Sequence, residues 1–119
     1  MSTYTLLVAR SAGLERLVSA ELVVASDFTA SGTNYWEFAL RVRRVKPDGT
    51  TRQSYGEIIG AIYSLSSRSL TAGLPVSLYS STAGLPLNDG DELWATVTSS
   101  GSPAVLDNPS FILERQKVQ

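Results

Sequence analysis

The chain has 119 residues, a net charge of −1 and a hydrophobic content of 43%, and it contains neither cysteine nor histidine. That length and that apolar fraction suit one globular domain around a single core. The missing residue types exclude a Ser-His-Asp triad, a thiolate nucleophile, a disulfide framework and a thiolate zinc site. The near-neutral charge gives no electrostatic reason to bind nucleic acid or an anionic membrane.

Targeting signals are also missing from the pattern. The longest aliphatic run, residues 22–25, is far shorter than the ~20 residues of a membrane span. No basic segment precedes the apolar residues 6–9, so we expect no signal peptide. The lack of cysteine fits synthesis in a cytoplasm.

In chain order, residues 1–16 form either an edge strand or an arm laid on a neighbouring chain, because apolar side chains occur there with no strong turn before Gly13. A strand follows over residues 17–24, with Val18, Ala20, Leu22 and Val24 on one face. The strictest alternation of apolar and polar residues spans residues 35–43 and ends at a Pro-Asp-Gly turn.

The second half of the chain continues the pattern. Residues 57–63 admit one or two helical turns, although Gly60 and three isoleucines disfavour a helix. Strands are predicted over residues 92–98 and 111–116, with shorter candidates at 5–9, 51–55 and 76–79. Residues 71–76 recur as residues 82–87, which we interpret as two similar loops at opposite ends of the 76–79 strand.

These short strands, separated by strong turns every ~8–12 residues, predict an all-β fold. We expect a single-domain, jelly-roll-like β-sandwich of about seven or eight antiparallel strands, with the sandwich in residues 17–119 and the arm or edge strand before it.

Few patterns indicate chemistry. Asn88-Asp89-Gly90-Asp91-Glu92 is acidic but lacks the ligand spacing of a calcium loop, so a tight turn explains it better. Glu37 and Glu92 are the candidate carboxylate pair of a glycosidase, yet both lie opposite the apolar rows, where solvated carboxylates are expected. We therefore expect no catalytic residue, no cofactor and no metal site.

Contact residues are easier to nominate. The arginine-rich stretch around the Pro-Asp-Gly turn suits a solvated face, a salt-bridge surface toward another subunit, or nucleic acid, although it lacks interleaved aromatic residues. Trp94 is out of phase with its apolar neighbours, as an interface anchor would be. The candidate protein-contact residues are Tyr4, Leu6, Leu7, Arg41, Arg43, Arg44 and Trp94.

The basic residues comprise eight arginines and only two lysines, Lys46 and Lys117. Interfaces favour Arg over Lys, so this bias fits a surface covered by partners; an Arg-rich codon usage explains it equally well.

Three segments carry a resemblance to a known family. They are residues 27–36, with a Thr-Asn-Tyr-Trp entry to the long strand, residues 70–76, and residues 87–93, where a Gly-Asp turn opens a late strand. Over residues 20–98 the chain resembles head decoration, or cement, proteins of tailed bacteriophages, which have a jelly-roll-like sandwich.

The resemblance implies a non-enzymatic virion protein, made in the host cytoplasm, that sits on the capsid exterior. It would bridge major capsid proteins, as a homotrimer, and would bind neither nucleic acid nor membrane. An alternative is another phage β-module, a fibre, collar or tail component that binds a host glycan or protein, with Trp94 beside Tyr63 or Tyr79 as an aromatic platform. A third possibility is an unrelated cellular sandwich, with a carboxylate enzyme as its remotest form.

Overall fold

The computed structural model describes residues 2–44, 57–106 and 108–118, and within them the chain is all-β and without helix. Outside the described residues lie the predicted strand at 51–55, the Pro-Asp-Gly turn, and two basic residues of the arginine-rich stretch, Lys46 and Arg52. The seven strands, in chain order, are β1 (Ser2–Arg10), β2 (Glu15–Val23), β3 (Tyr35–Arg43), β4 (Glu57–Ser64), β5 (Val76–Leu87), β6 (Glu92–Ser100) and β7 (Ser110–Lys117).

The strands form two antiparallel sheets, which confirms the predicted β-sandwich. One sheet has four strands in the order β1-β6-β3-β4, and the other has three in the order β5-β2-β7. In an eight-stranded jelly roll the second, seventh, fourth and fifth strands form one sheet, and the first, eighth, third and sixth form the other. Among the described strands the order is therefore that of a jelly roll without its first strand.

Side chains from both sheets fill the interior as two apolar clusters. One cluster centres on Phe38 and Leu22, and the other on Leu40 and Leu17. Phe38 and Leu40 are alternate residues of β3, so the period of two that was visible in the sequence places both in the core. The two apolar clusters are thus continuous with each other along β3.

Strand β2 departs from its predicted phase. In its pairing with β7, Leu17 and Ser19 lie opposite the adjacent residues Arg115 and Glu114, so Val18 is the extra residue of a β-bulge. On the other side of β2 the extra residues, 81–84, belong to β5. A bulge reverses which residues face inward beyond it. Leu17 is therefore fully buried, whereas Val18, predicted to face the core with Ala20, is only half-buried.

Residues 57–63 lie in strand β4, in line with Gly60 and the three isoleucines that disfavour a helix there, and Gly60 has a left-handed conformation at a bulge opposite β3. One further prediction is wrong. The second copy of the internal repeat is no loop at the end of a strand, because β5 continues through it to Leu87. Gly84, at φ 79°, provides the irregular backbone that lets β5 do so.

Candidate contact surface on the outer sheet face

The outer face of the four-stranded sheet carries a row of large side chains that crosses all four strands. Strand register places Leu7 beside Trp94, Trp94 beside Arg41, and Arg41 beside Ile58. We call these four residues the cross-sheet row. The outer face of a sandwich is usually polar, yet here Leu7 is 47% exposed and Ile58 40% exposed.

A shallow hollow adjoins the row. It has a volume of about 120 Å³, and Ala39 forms part of its lining between Thr96 on β6 and the isoleucines Ile58 and Ile62 of β4. The small Ala39 side chain leaves this space open, while Arg41 holds one side by donating from Nε to Thr96 Oγ1 at 3.0 Å. The surface therefore combines projecting apolar groups with a recess, as shape-complementary contacts require.

Three charged residues, Arg10, Glu92 and Arg43, lie next to the cross-sheet row on the side away from the hollow, and we call them the charged row. Glu92 pairs in register with Arg10 and Arg43, and it accepts hydrogen bonds from Arg10 Nε at 3.1 Å and from Trp94 Nε1 at 3.3 Å. Arg43 Nη1 lies 3.7 Å from Glu92 Oε1, and the Arg43 guanidinium sits 6.0 Å from the centroid of the Trp94 ring. These contacts fix the orientation of Trp94.

The carboxylate of Glu92 is only 4% exposed, so the expectation that it is a solvated carboxylate is wrong. The reason is that two arginines from other strands cover it, and neither is near it in sequence. Arg43 Nε is buried and finds no acceptor among the described residues.

Only some of the nominated contact residues lie together. Leu7, Arg41 and Trp94 share the cross-sheet row, and Arg43 stacks on its tryptophan. Leu6 faces the opposite side of β1, as the alternation of a strand dictates. The backbone of Tyr4 pairs with Val97 in β6; the Tyr4 side chain is outside the described part of the chain.

Arg44 lies just past the end of β3 and is held within the chain. Its Nη1 is 2.8 Å from Asp91 Oδ2 and 2.6 Å from the carbonyl oxygen of Pro86. Asp91 is 1% exposed and also accepts from the backbone N–H of Asn88, which closes the predicted tight turn. Arg43 and Arg44 thus pair with carboxylates of their own chain. One of the expectations had been that these arginines form salt bridges to another subunit.

The candidate catalytic and glycan-binding arrangements do not assemble. Glu37 and Arg43 lie six residues apart on β3, and Glu92 pairs with Arg43, so the two carboxylates are separated by ~20 Å of strand. Glycosidase pairs are within ~10 Å. Tyr63 packs into the core on the inner face and Tyr79 lies on the other sheet, so neither joins Trp94 on the outer face.

Ile58 and Ile62, which complete the surface on β4, were not predicted from the sequence. Their signal was the Glu-Ile-Ile-Gly-Ala-Ile run, because the adjacent residues Ile58 and Ile59 point to opposite faces of a strand and one of them must face outward. Because Gly60 interrupts the alternation, the pattern does not show which isoleucine faces outward. The pairing of Ile58 with Arg41 in the strand register shows that Ile58 faces outward.

Comparison with known proteins gives no family assignment: no protein-family model, no curated protein and no solved structure matches the chain. In the described ranges no group of three carboxylates is placed to hold a metal ion. Those ranges likewise include no helix long and apolar enough to cross a membrane.

Proposed function

We propose that the chain is a non-enzymatic binding protein that docks on another protein through the outer face of its four-stranded sheet. The observation that carries this is the cross-sheet row, in which Leu7, Trp94 and Ile58 present apolar surface around Arg41. Tryptophan and arginine dominate the binding energy of known interfaces, especially when a polar rim surrounds them. The charged row on one side and the threonines of β6 on the other form such a rim.

We further propose that the partner is the major capsid protein of a tailed bacteriophage, and that the chain decorates the exterior of its shell. Support comes from the sequence resemblance over residues 20–98 and from a sandwich fold of the expected class. A protein that binds assembled shell, but not separated subunits, stabilises the shell by mass action. This mechanism needs contact area and no chemistry, which suits a chain without histidine or cysteine.

Bridging between capsid proteins requires several copies of the contact face to act together. A homotrimer would present three copies of the cross-sheet row, and multivalent binding raises avidity without new contacts. Size-exclusion chromatography with light scattering measures the oligomeric state. A stable trimer is expected.

The docking surface is tested by co-sedimentation with phage heads assembled without this protein from the genome that encodes it. Leu7→Lys places a charge in the apolar row, and Trp94→Ala removes its aromatic centre. Each is expected to weaken binding by about 30-fold, since interface hot spots contribute ~2 kcal/mol. The matched control is Ile112→Lys, because Ile112 is also 47% exposed but lies on the outer face of the other sheet.

Binding that tolerates Leu7→Lys and Trp94→Ala while Ile112→Lys abolishes it would move the interface to the three-stranded sheet and contradict the docking face. A strictly monomeric protein that never sediments with heads would overturn the capsid assignment as well.

A further inference from the structure

The buried charges of the sandwich are concentrated at one of its ends. Among the described residues, the charged side chains that are buried are Glu15, Asp91 and Glu92. Glu15 begins β2 and Glu92 begins β6, and the strands paired with them, β1, β3, β5 and β7, end there. We call this part of the molecule the charged end, and its ion-paired residues are Arg10, Glu15, Arg43, Arg44, Asp91, Glu92, Arg115 and Lys117.

Strand pairing gathers three arginines around two of these carboxylates. Glu92 pairs with Arg10 of β1 on one side and with Arg43 of β3 on the other. Arg10 Nε lies 3.1 Å from Glu92 Oε2, and Arg43 Nη1 lies 3.7 Å from Glu92 Oε1. Just before β6, Asp91 Oδ2 accepts a hydrogen bond from Arg44 Nη1 at 2.8 Å. The negative charges thus lie between positive ones that belong to different strands.

The three-stranded sheet adds a third carboxylate with two further cations. Arg115 Nη1 and Lys117 Nζ of β7 lie 3.4 Å and 4.0 Å from the carboxylate of Glu15. Asp89 and Glu57 are also at this end, but they are exposed and solvated. Within the described residues, five cations with side chains between 28% and 62% exposed therefore face three buried carboxylates.

The opposite end depends on backbone hydrogen bonds and apolar packing. There the backbones of Phe28 and Leu70 exchange two hydrogen bonds of 2.9 Å, and Phe38 belongs to the apolar cluster of that end. The second apolar cluster, which contains Leu93, lies under the charged end. Asp27, a carboxylate at the opposite end, is exposed. Protonation therefore leaves the buried contacts of the opposite end in place.

We propose that the charged end is an acid-sensitive switch, which opens below about pH 4 while the opposite end stays folded. Protonation of the three carboxylates removes their charge-assisted hydrogen bonds and leaves five cations close together. In the opened form these cations separate into water, so the same protons bind there without that repulsion. Because a falling pH favours the state that binds more protons, acid shifts the equilibrium toward the opened form.

The switch includes the centre of the proposed contact surface. Trp94 Nε1 donates to Glu92 Oε1 at 3.3 Å, and the guanidinium of Arg43 lies 6.0 Å from the centroid of the indole ring. Opening of the charged end releases Trp94 from the cross-sheet row. Loss of docking in acid follows, and this consequence rests on the proposed function, whereas the opening itself does not.

Two tryptophans, one at each end, make the switch measurable in the full-length protein. Trp94 lies at the charged end, and Trp36 lies at the opposite end, where its Nε1 donates to the carbonyl oxygen of Ala104 at 2.8 Å. Trp36→Phe and Trp94→Phe each leave one reporter. On titration from pH 7 to pH 2, the fluorescence of Trp94 should change at a pH at least about 0.5 units above the change of Trp36.

Two carboxylates, one at each end, provide the matched variants. Glu15 is on the other sheet from Trp94, so Glu15→Gln tests whether the charged end opens as one unit. It should raise the midpoint of the Trp94 transition by about 0.3 pH units or more and leave the Trp36 transition unchanged. Asp27→Asn removes an acceptor of the backbone N–H of Ala72 at the opposite end, and it should leave the Trp94 midpoint unchanged.

Hydrogen exchange along β6 gives an independent readout, because this strand runs from the charged end to the opposite end. At pH 3 the amides of residues 92–94 should exchange at least about tenfold faster than those of residues 97–99.

Coincident transitions of the two tryptophans, equal effects of Glu15→Gln and Asp27→Asn on Trp94, equal exchange along β6, or a Trp94 signal that stays constant to pH 2 would each overturn the proposal. Separate transitions in a chain that never sediments with phage heads would support the switch and contradict only the proposed function.

Discussion

Glu15 begins β2 as a buried carboxylate with four donors around it. Ser11 Oγ donates to Oε1 at 2.8 Å and the backbone N–H of Ala12 at 3.1 Å, while Arg115 lies 3.4 Å and Lys117 4.0 Å from the carboxylate. Burial raises the pKa of Glu15, but these hydrogen bonds and cations together outweigh burial and hold the pKa below its usual value. The ionised form is thus favoured by folding, and it ties the β1–β2 turn to the end of β7.

This arrangement predicts a loss of stability in acid. Because the folded pKa is below the unfolded value of ~4.3, Glu15 contributes its full stabilisation above that value and loses it as the pH falls through the folded pKa. Glu15→Gln should lower the free energy of unfolding at pH 7 by about 1–3 kcal/mol. The difference from the parent should shrink below pH 4, as urea denaturation at several pH values would measure.

Glu114→Gln is the control, since Glu114 is exposed on β7 and its substitution should change little at either pH. If the free energy of unfolding of Glu15→Gln stays below that of the parent by the same amount down to pH 3, the stabilisation comes from the contacts of Glu15 and not from its charge.

Single residues also show why the charged groups were hard to place from sequence. Glu92 alternates correctly with the core residue Leu93, so the pattern assigned it to the outer face, where it does lie. Its burial comes from Arg10 and Arg43, which are brought beside it by strand pairing across the sheet. Alternation predicts a face, whereas burial on that face depends on neighbours that are distant in sequence.

At the level of elements, β4 depends on one glycine. Gly60 has φ 70°, and a Cβ built there would lie 2.8 Å from the carbonyl oxygen of Leu78 on β5. The positive φ forms the bulge opposite Ala39, and the missing side chain lets β4 approach the other sheet. Gly60 is therefore required for two reasons, backbone conformation and close contact.

Gly73 provides the comparison that separates those reasons. It has φ 74°, but a Cβ added there would meet no atom within 4 Å. Gly73→Ala should destabilise the protein by ~1–2 kcal/mol, the strain of a left-handed residue. Gly60→Ala should lose that amount and a further ~1–2 kcal/mol from displacing β4. Thermal unfolding of both variants measures the difference, and equal losses would show that the contact with Leu78 relaxes without strain.

The strands with the clearest contrast between faces were predictable. For β3 the observed bounds, Tyr35–Arg43, coincide with the predicted residues, because large apolar side chains occupy every second position from Trp36 to Val42. Prediction failed where a bulge or a glycine broke the alternation, as at Val18 in β2 and Gly84 in β5. Bulges are fixed by pairing with other strands, which a single segment does not encode.

At the scale of the whole molecule, the candidate surface exists only through register. Leu7, Arg41 and Trp94 were nominated for different reasons, and strand pairing sets them side by side over a sequence separation of more than fifty residues. One side of the sandwich, between β1 and β7, is left open because the sheets are unequal, four strands against three. Composition and periodicity predict how many strands form and which faces are apolar, but not their order across a sheet.

The unequal sheets also decide what β1 contributes. Val8 and Ala9 pack against the core, and Arg10 covers Glu92, whereas residues 2–7 have no strand opposite them. Deleting residues 2–7 therefore removes one edge ladder with β6, together with Leu6 and Leu7, which are 42% and 47% exposed. We expect the shortened chain to keep its β-sheet circular dichroism and cooperative unfolding, with stability lowered by about 1–3 kcal/mol. It should no longer bind phage heads, because Leu7 and the edge of the contact surface are gone, and it should self-associate more, because the edge of β6 is bared. Unfolding of the shortened chain at 25 °C would show instead that β1 is an obligatory strand of the core.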